Sequence, residues 1–277
     1  MKRLRPQKIP LYVVVVVLVL AWVLPVWTTF LVSLKSGEDY LSQQFYQLPG
    51  KFSFFKNLKN VMDQYRLHEH YLNSILYATV GAGIAIATAS MAGFSIVRLK
   101  PRFNFLLFLV IYSGTLFPFQ MYLIPVYKLY NTIALYDTRL GMMLIYAAIC
   151  IPFSLFVYRG FYTTIPKEIE DAAKIDGCGP LKTFIYVFLP QSLAPTAVVT
   201  LFQWTWIWND LLFGMVLTRS QNIRPVMVAL ASMSGYAGGT IPLIMTGVII
   251  TSLPTILLFV LLRKFFISGM VLSITGE

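Results

Sequence analysis

The stretch YRGFYTTIPKEIEDAAKIDGCGPLKTFIYVFLP, Tyr158 to Pro190, is a polar, charged island between two long apolar segments. Pro166 suits an early position in a first helical turn, where its missing N–H costs little. Glu168, Glu170 and Asp171 then place negative charge toward the positive end of a helix dipole. Ile165, Ile169, Ala172 and Ala173 recur at three- and four-residue spacing, which predicts one apolar face. Gly177 and Gly179 interrupt the pattern, and Pro180 can restart it as a second helix carrying Phe184, Val187 and Phe188. The reading is a helix–turn–helix elbow standing in water. Periodicity alone leaves two uses open, docking into a partner's groove or lying on a bilayer surface.

The chain around the elbow is apolar. Of 277 residues, 57% are hydrophobic and 12% charged, against about a quarter charged in an ordinary soluble domain. Uncharged runs recur, each near the roughly 20 residues that cross a bilayer. They predict an all-α, polytopic membrane protein with six transmembrane helices, near 11–32, 72–97, 104–126, 140–158, 192–216 and 241–262. The first run follows the basic start MKRLRPQK. It is longer than a signal-peptide core and lacks a small-residue cleavage site, so it reads as a retained anchor. The intervening segments 33–70 and 218–240 are polar. Small residues from Gly81 to Gly93 suit close helix packing.

The net charge of +11 does not make a nucleic-acid surface. Basic residues cluster at the ends of spans, as topology rules require. With the N-terminus inside, thirteen of the twenty-two Lys and Arg fall on the cytoplasmic side: Lys2, Arg3, Arg5, Lys8, Arg98, Lys100, Arg102, Arg159, Lys167, Lys174, Lys182, Arg263 and Lys264. Both termini and the elbow are therefore predicted cytoplasmic.

Other motifs carry little chemistry. Gly177 to Thr183 has Leu181 where a phosphate-binding loop needs a glycine before its lysine, and no strand precedes it, so any nucleotide must bind elsewhere. His68-Glu69-His70 lacks further ligands at metal spacing and reads as solvated loop. Cys150 lies in a span and Cys178 in the elbow, which makes a disulfide between them implausible. Asp210 stands well within an apolar stretch, where an ionisable residue is a functional suspect. No catalytic constellation is evident, and the chain is read as a non-enzyme.

The elbow residues resemble the cytoplasmic loop of type I ABC importer permeases. That pattern is Glu-Ala-Ala, three residues, Gly, nine residues, then Ile, any residue, Leu and Pro. Here Asp171-Ala172-Ala173, Gly177, Val187, Leu189 and Pro190 stand at matching spacing. Asp171, Cys178 and Val187 depart conservatively from the common residues. Phe202 to Gly214 (FQWTWIWNDLLFG) resembles the family's fifth span, and the C-terminal segment resembles the shorter maltose-type subunit.

The resemblance implies the type I ABC importer permease fold. Residues 1–69 would form the tail, first helix and external loop, 70–262 the type-1 core with its coupling loop at 159–191, and 263–277 a cytoplasmic tail. It implies a permease subunit importing a carbohydrate, of oligosaccharide size, across the bacterial cytoplasmic membrane. Its partners would be a second homologous permease, cytoplasmic ATPase subunits and an extracytoplasmic sugar-binding protein, besides the lipid bilayer. ATP and Mg would bind the ATPase, with no cofactor or metal on this chain. Glu170, Asp171, Ala172, Ala173, Asp176 and Gly177 would couple to that ATPase through the loop at 165–190. The segment 218–240 would reach toward the binding protein. By the same likeness Asn209-Asp210 is a helix break near the outer end of span five. Aromatic rings stack on sugar faces, so Trp204, Trp206 and Tyr112, with Asn209, mark a candidate substrate path; Trp208 and Tyr146 are aromatic neighbours of the same kind. The alternative is an ATP-independent secondary transporter or channel, which predicts intramembrane charge pairs and internal repeats that are not evident.

Overall fold

A computed structural model of the protein describes residues 9–233 and 241–274. The basic residues Lys2, Arg3, Arg5 and Lys8, the SGYAGG part of segment 218–240 and the last three residues lie outside the described residues. Every regular element among the described residues is helical. In chain order they are α1 (Ile9–Ser33), α2 (Gly37–Ser42), α3 (Phe54–Gln64), α4 (Leu67–Phe94), α5 (Asn104–Ser113), α6 (Gln120–Thr132) and α7 (Arg139–Thr164). Then follow α8 (Lys167–Ile175), α9 (Pro180–Thr183), α10 (Leu189–Gln191), α11 (Leu193–Trp208), α12 (Leu212–Leu217), α13 (Val226–Ser232) and α14 (Ile241–Ile274). Wider π turns continue α4 over Ser95–Leu99 and join α9 to α10 over Phe184–Phe188.

Among the described residues four helices are long and apolar enough to span a bilayer: Pro10–Ser33, Leu67–Leu99, Arg139–Thr164 and Ile241–Phe265. The other two expected spans are broken. Span three is not one helix over 104–126, because α5 stops at Ser113 and a turn runs to Phe119. Ten residues rise about 15 Å, half the hydrocarbon thickness. Pro118 disfavours helix at the residue before it, and the Tyr122 hydroxyl donates to the Gly114 carbonyl across the turn (3.0 Å). Span five ends at Trp208 rather than 216. Its entry is bent by 74° where Pro180–Gln191 meets α11.

The chain divides into two compact units. One comprises residues up to His68 together with 229–253. In it the end of α1 is held by side chains as well as by backbone: Asn57 Nδ2 donates to the carbonyls of Ser33 (3.0 Å) and Lys35 (2.8 Å), Thr246 Oγ1 donates to Ser33 (3.3 Å), and the Ser53 amide donates to the Leu34 carbonyl between them (2.9 Å). Lys35 is itself buried, with its ammonium on the Gln44 carbonyl (2.6 Å). The polar segment 33–70 thus contains two helices and a folded terminus for α1. The apolar side chains of α1 from Leu11 to Leu20 are exposed, as those of a lipid-facing helix would be.

The second unit, 69–228 with the chain after Pro254, carries two apolar clusters. One gathers Tyr77, Ala82, Met142, Tyr146, Cys150, Ile207 and Phe213 from α4, α7, α11 and α12. The other gathers Ala89, Phe94, Phe108, Leu155, Tyr158, Tyr162, Phe184 and Phe188 at the end that carries the elbow. The small-residue stretch of α4 lets α7 approach. A Cβ on Gly93 would stand 3.1 Å from Tyr158 Cβ and 3.3 Å from Arg159 N, whereas one on Gly83 would meet nothing.

Gly93→Val should therefore destabilise the protein by about 1–3 kcal/mol through overpacking, while Gly83→Val stays within about 0.5 kcal/mol. Unfolding midpoints in detergent measure both, and equal midpoints for the two variants would exclude a tight α4–α7 seam.

Candidate functional site

The elbow is built as a stiff lever. Pro166 precedes α8, and Lys167–Ile175 closes with a reciprocal C-terminal cap. The Cys178 amide donates to the Ala173 carbonyl (2.9 Å) and the Gly177 amide to Lys174 (3.0 Å). This pairing needs a left-handed residue between helix and exit, and Gly177 supplies it at φ +80°. Pro180 then opens α9 as expected.

The lever is bolted at its base by Arg98, from the π turn after α4. Its guanidinium donates to the carbonyls of Tyr162 and Ile165, which end α7, and lies 3.7 Å from the Glu170 carboxylate. It also sits 5.0 Å from the centre of the Phe188 ring. Both side chains of the Arg98–Glu170 pair are about nine-tenths buried. Lys174 reaches the other oxygen of Glu170 (2.7 Å) and Asp171 (3.5 Å). The hydrogen bond that Lys174 donates to Glu170 raises the Lys174 pKa, so this exposed ammonium stays charged throughout the neutral range.

Burying Glu170 turns α8 so that its apolar residues divide. Ile165 and Ala173 pack inward, whereas Ile169, Ala172 and Ile175 face out, Ile175 at 87% exposure. The single apolar face expected from spacing is thus two faces, because the buried ion pair sets the rotation. Asp171, Ala172, Asp176 and Gly177 form the exposed rim and tip, while Glu170 and Ala173 belong to the base. The rotation was not readable locally, since Arg98 lies far away in sequence.

The other candidate region is a cleft of about 880 Å³ bordered by α11, the turn after it and the last helix. Trp206 and Asn209 line it, with Phe119, Phe202, Asp210 and Phe259. Trp206 also borders a second hollow of about 280 Å³ with Phe153 and Gln203. Trp204 and Tyr112 are placed elsewhere. Trp204 stacks on Trp208 (5.1 Å, 8°) and donates to Thr79 Oγ1 (3.2 Å). Tyr112 is stacked between Phe108 and Phe156 (5.5 and 5.2 Å). The larger cleft lies within the size range of small-molecule sites, about 300–1,000 Å³, and the smaller hollow falls just below it.

Asp210 explains the break in span five. It accepts the Tyr146 hydroxyl (2.9 Å) and the amides of Gly214 (3.1 Å) and Phe213 (3.4 Å), so a buried carboxylate holds the start of α12. The loop beyond α12 is held just as firmly. His70 Nδ1 pairs with the Arg224 carbonyl (3.0 Å), Asn73 donates to Asn222 (2.9 Å) and Tyr77 to Ile223 (2.8 Å). His70 is thus a buried helical residue and not part of a solvated loop. The polar first turns of α4 precede the apolar run that was used to place the span. No group of three metal-ligating side chains occurs among the described residues.

Asp137 secures the near end of the same loop. Its carboxylate accepts the amides of Arg219 (2.8 Å) and Ser220 (2.9 Å) and the Ser220 hydroxyl (2.5 Å). Burial pushes its pKa up, but the Ser220 and Arg219 hydrogen bonds and the Arg219 charge outweigh burial and leave it below the ordinary value.

Comparison with known proteins agrees with this geometry. Residues 80–271 match the family described as binding-protein-dependent transport system inner membrane component. A probable ABC transporter permease protein of Pyrococcus horikoshii is 35% identical over 97% of both chains. The melibiose/raffinose/stachyose import permease protein of Bacillus subtilis is 28% identical over 89% of both. A chain of a bacterial ABC transporter involved in the import of the acidic polysaccharide alginate superposes with a TM-score of 0.81 at 20% identity, covering 96% of this chain and all of that one. The last likeness establishes the fold, which is the one expected from the sequence.

Two predictions follow from the elbow and the loop. Arg98→Gln leaves Glu170 buried without its partner and should cost about 3 kcal/mol, seen as faster hydrogen exchange of the α8 amides; unchanged exchange would remove Arg98 as the anchor. Because the folded pKa of Asp137 is depressed, its stabilisation is complete above its unfolded pKa and fades as pH falls through the lower folded value. Protection of the 219–220 amides, taken relative to their intrinsic exchange rates, should therefore fall on acidification below about pH 4, and Asp137→Asn should abolish that loss.

Proposed function

The chain belongs to the binding-protein-dependent transport system inner membrane components, the permease subunits of ABC importers, and on that premise we propose that it translocates a carbohydrate of oligosaccharide size. As a member of that family it is a multi-pass membrane protein whose work is transport, in concert with an ATPase and a substrate-binding protein. The finer assignments are our reading. The membrane is the bacterial cytoplasmic membrane, both termini and the elbow face the cytoplasm, and a second homologous permease completes the pathway. ATP and Mg bind the ATPase subunits and not this chain.

The observation that carries the reading is the outer face of α8. Ile169, Ala172 and Ile175 present apolar surface to water on a helix whose base is immobilised by Arg98 and Glu170. An apolar stripe with a charged rim on a short rigid helix suits a groove on a partner protein. Closure of ATPase subunits around that helix would displace the base, and the base is joined to α4 and α7. The lever would therefore convert ATPase closure into movement of spans. In this scheme Asp171, Ala172, Asp176 and Gly177 meet the ATPase, and Glu170 and Ala173 transmit the motion.

Carbohydrate is favoured by the relative named for melibiose, raffinose and stachyose import. The cleft also combines aromatic faces, Trp206 and Phe119, with the polar groups of Asn209 and Thr205. Sugar rings have apolar faces and hydroxyl rims that such a lining accommodates. Trp206 and Asn209 are accordingly the residues proposed to meet substrate. Tyr112 and Trp204 would support the surrounding packing.

Ala172→Arg should weaken ATPase association about thirtyfold, the effect of losing an interface anchor of about 2 kcal/mol, while the permease still inserts. Co-purification of the ATPase with the variant measures it. Retention of the ATPase together with normal sugar-stimulated hydrolysis would sink the coupling assignment. Trp206→Ala should leave that association intact and lower sugar-stimulated hydrolysis.

A further inference from the structure

At the elbow end of the second unit, a cavity of about 320 Å³ opens between the π turn after α4, the start of α5 and the end of α7. Three cations line it, Arg98, Lys100 and Arg159, together with Asn104 and Thr163, and no carboxylate does. Arg98 is committed to Glu170 and the α7 carbonyls. Arg159 is not. Its guanidinium lies 4.3 Å over the Phe108 ring, its Nε is buried without a hydrogen-bond partner, and no ion pair engages it among the described residues. The residue is half-buried, and a guanidinium held at a cavity mouth with no acid beside it suits an anion.

Asn104 and Phe105 open α5 at the cavity wall, and their amides are already engaged, Asn104 Oδ1 accepting the Phe105 amide (2.7 Å) and the Pro101 carbonyl the Asn104 amide (3.0 Å). The anion-binding capacity of the cavity therefore lies in its side-chain cations. The surroundings indicate what carries the phosphate. Phe105, Leu106, Leu109 and Val110 form an exposed apolar face that rises along α5 directly from the cavity. A cationic pocket continuous with a lipid-facing stripe fits an amphipathic ligand with a phosphate head and acyl chains.

We propose that this cavity binds the phosphate oxyanion of an anionic phospholipid, with Arg159 and Lys100 as the primary ligands and α5 as the bed for the acyl chains. The bound headgroup lies beside Arg98 and so stiffens the seat of the elbow. Placing the cavity in the membrane needs only the membrane-spanning fold; it does not depend on which sugar is carried or on the direction of transport.

The test uses the assembled transporter, delipidated in detergent and titrated with phosphatidylglycerol, phosphatidylcholine or inorganic phosphate, with bound species counted by native mass spectrometry. Phosphatidylglycerol should bind the wild type in preference to phosphatidylcholine and resist millimolar inorganic phosphate. Arg159→Gln should weaken it about fivefold, and adding Lys100→Gln a further fivefold, while the basic control Arg263→Gln leaves it unchanged. Should the double variant fail to assemble, Thr163→Glu places a carboxylate on the exposed rim without removing a cation and should weaken binding likewise. Equal retention of phosphatidylglycerol by wild type and variants would overturn the proposal. So would displacement of the lipid by inorganic phosphate, which would make the cavity a free-anion site.

Discussion

A single guanidinium holds the functional end of this protein together. Arg98 ties the exit of α4, the terminal carbonyls of α7, the inward edge of α8 and the aromatic ring of Phe188. The carbonyls at a helix end lack intrahelical partners, and a charged donor that serves two of them while pairing with Glu170 satisfies several buried groups at once. Such a pair adds little net stability over an apolar equivalent, but losing one partner is costly. Its value is orientation. With Glu170 fixed inward, the other side of α8 must face out, and the apolar stripe of Ile169, Ala172 and Ile175 is exposed without freedom to turn away.

The same economy governs the interruptions of the membrane helices. Freed backbone groups at membrane depth must find partners within the protein. At the break in span three the Tyr122 hydroxyl serves the Gly114 carbonyl. At the break in span five Asp210 takes two amides and the Tyr146 hydroxyl. Each break also borders a cleft: Phe119 ends the first turn, and Asn209 and Asp210 form the second, and all three line the same 880 Å³ cleft. Irregular backbone in a membrane protein is tolerated where it lines a cavity, and here it does so twice.

Much of this was legible from residue order, and the exceptions have physical causes. The elbow stood out because polar sequence between spans has few explanations, and Pro166, Gly177 and Pro180 mark its joints by backbone chemistry alone. Span three reads as one helix because its composition stays apolar through GTLFPF, and proline within a span does not by itself reveal the break between α5 and α6. His70 reads as loop because α4 begins before its apolar stretch does. The inward turn of Glu170 depends on Arg98, a contact between distant residues that local periodicity cannot carry. Trp206 and Trp204 are two residues apart on one helix, so they point to different sides; only packing decides which of them reaches the cleft.

Basic residues near membrane-span ends read as topology signals, and for Arg98 and Arg159 that reading is incomplete. Positive charge at a membrane end is satisfied by lipid and water when the side chain can snorkel outward. These two cannot, because Arg98 is fixed on carbonyls and Arg159 lies on Phe108. One is answered inside the chain by Glu170, and the other faces a cavity with no acid of its own. The two arginines border one pocket and sit under one lever, so whatever neutralises Arg159 also conditions the platform on which Arg98 holds α8. The elbow's rigidity is then set partly by the protein and partly by the membrane it stands in.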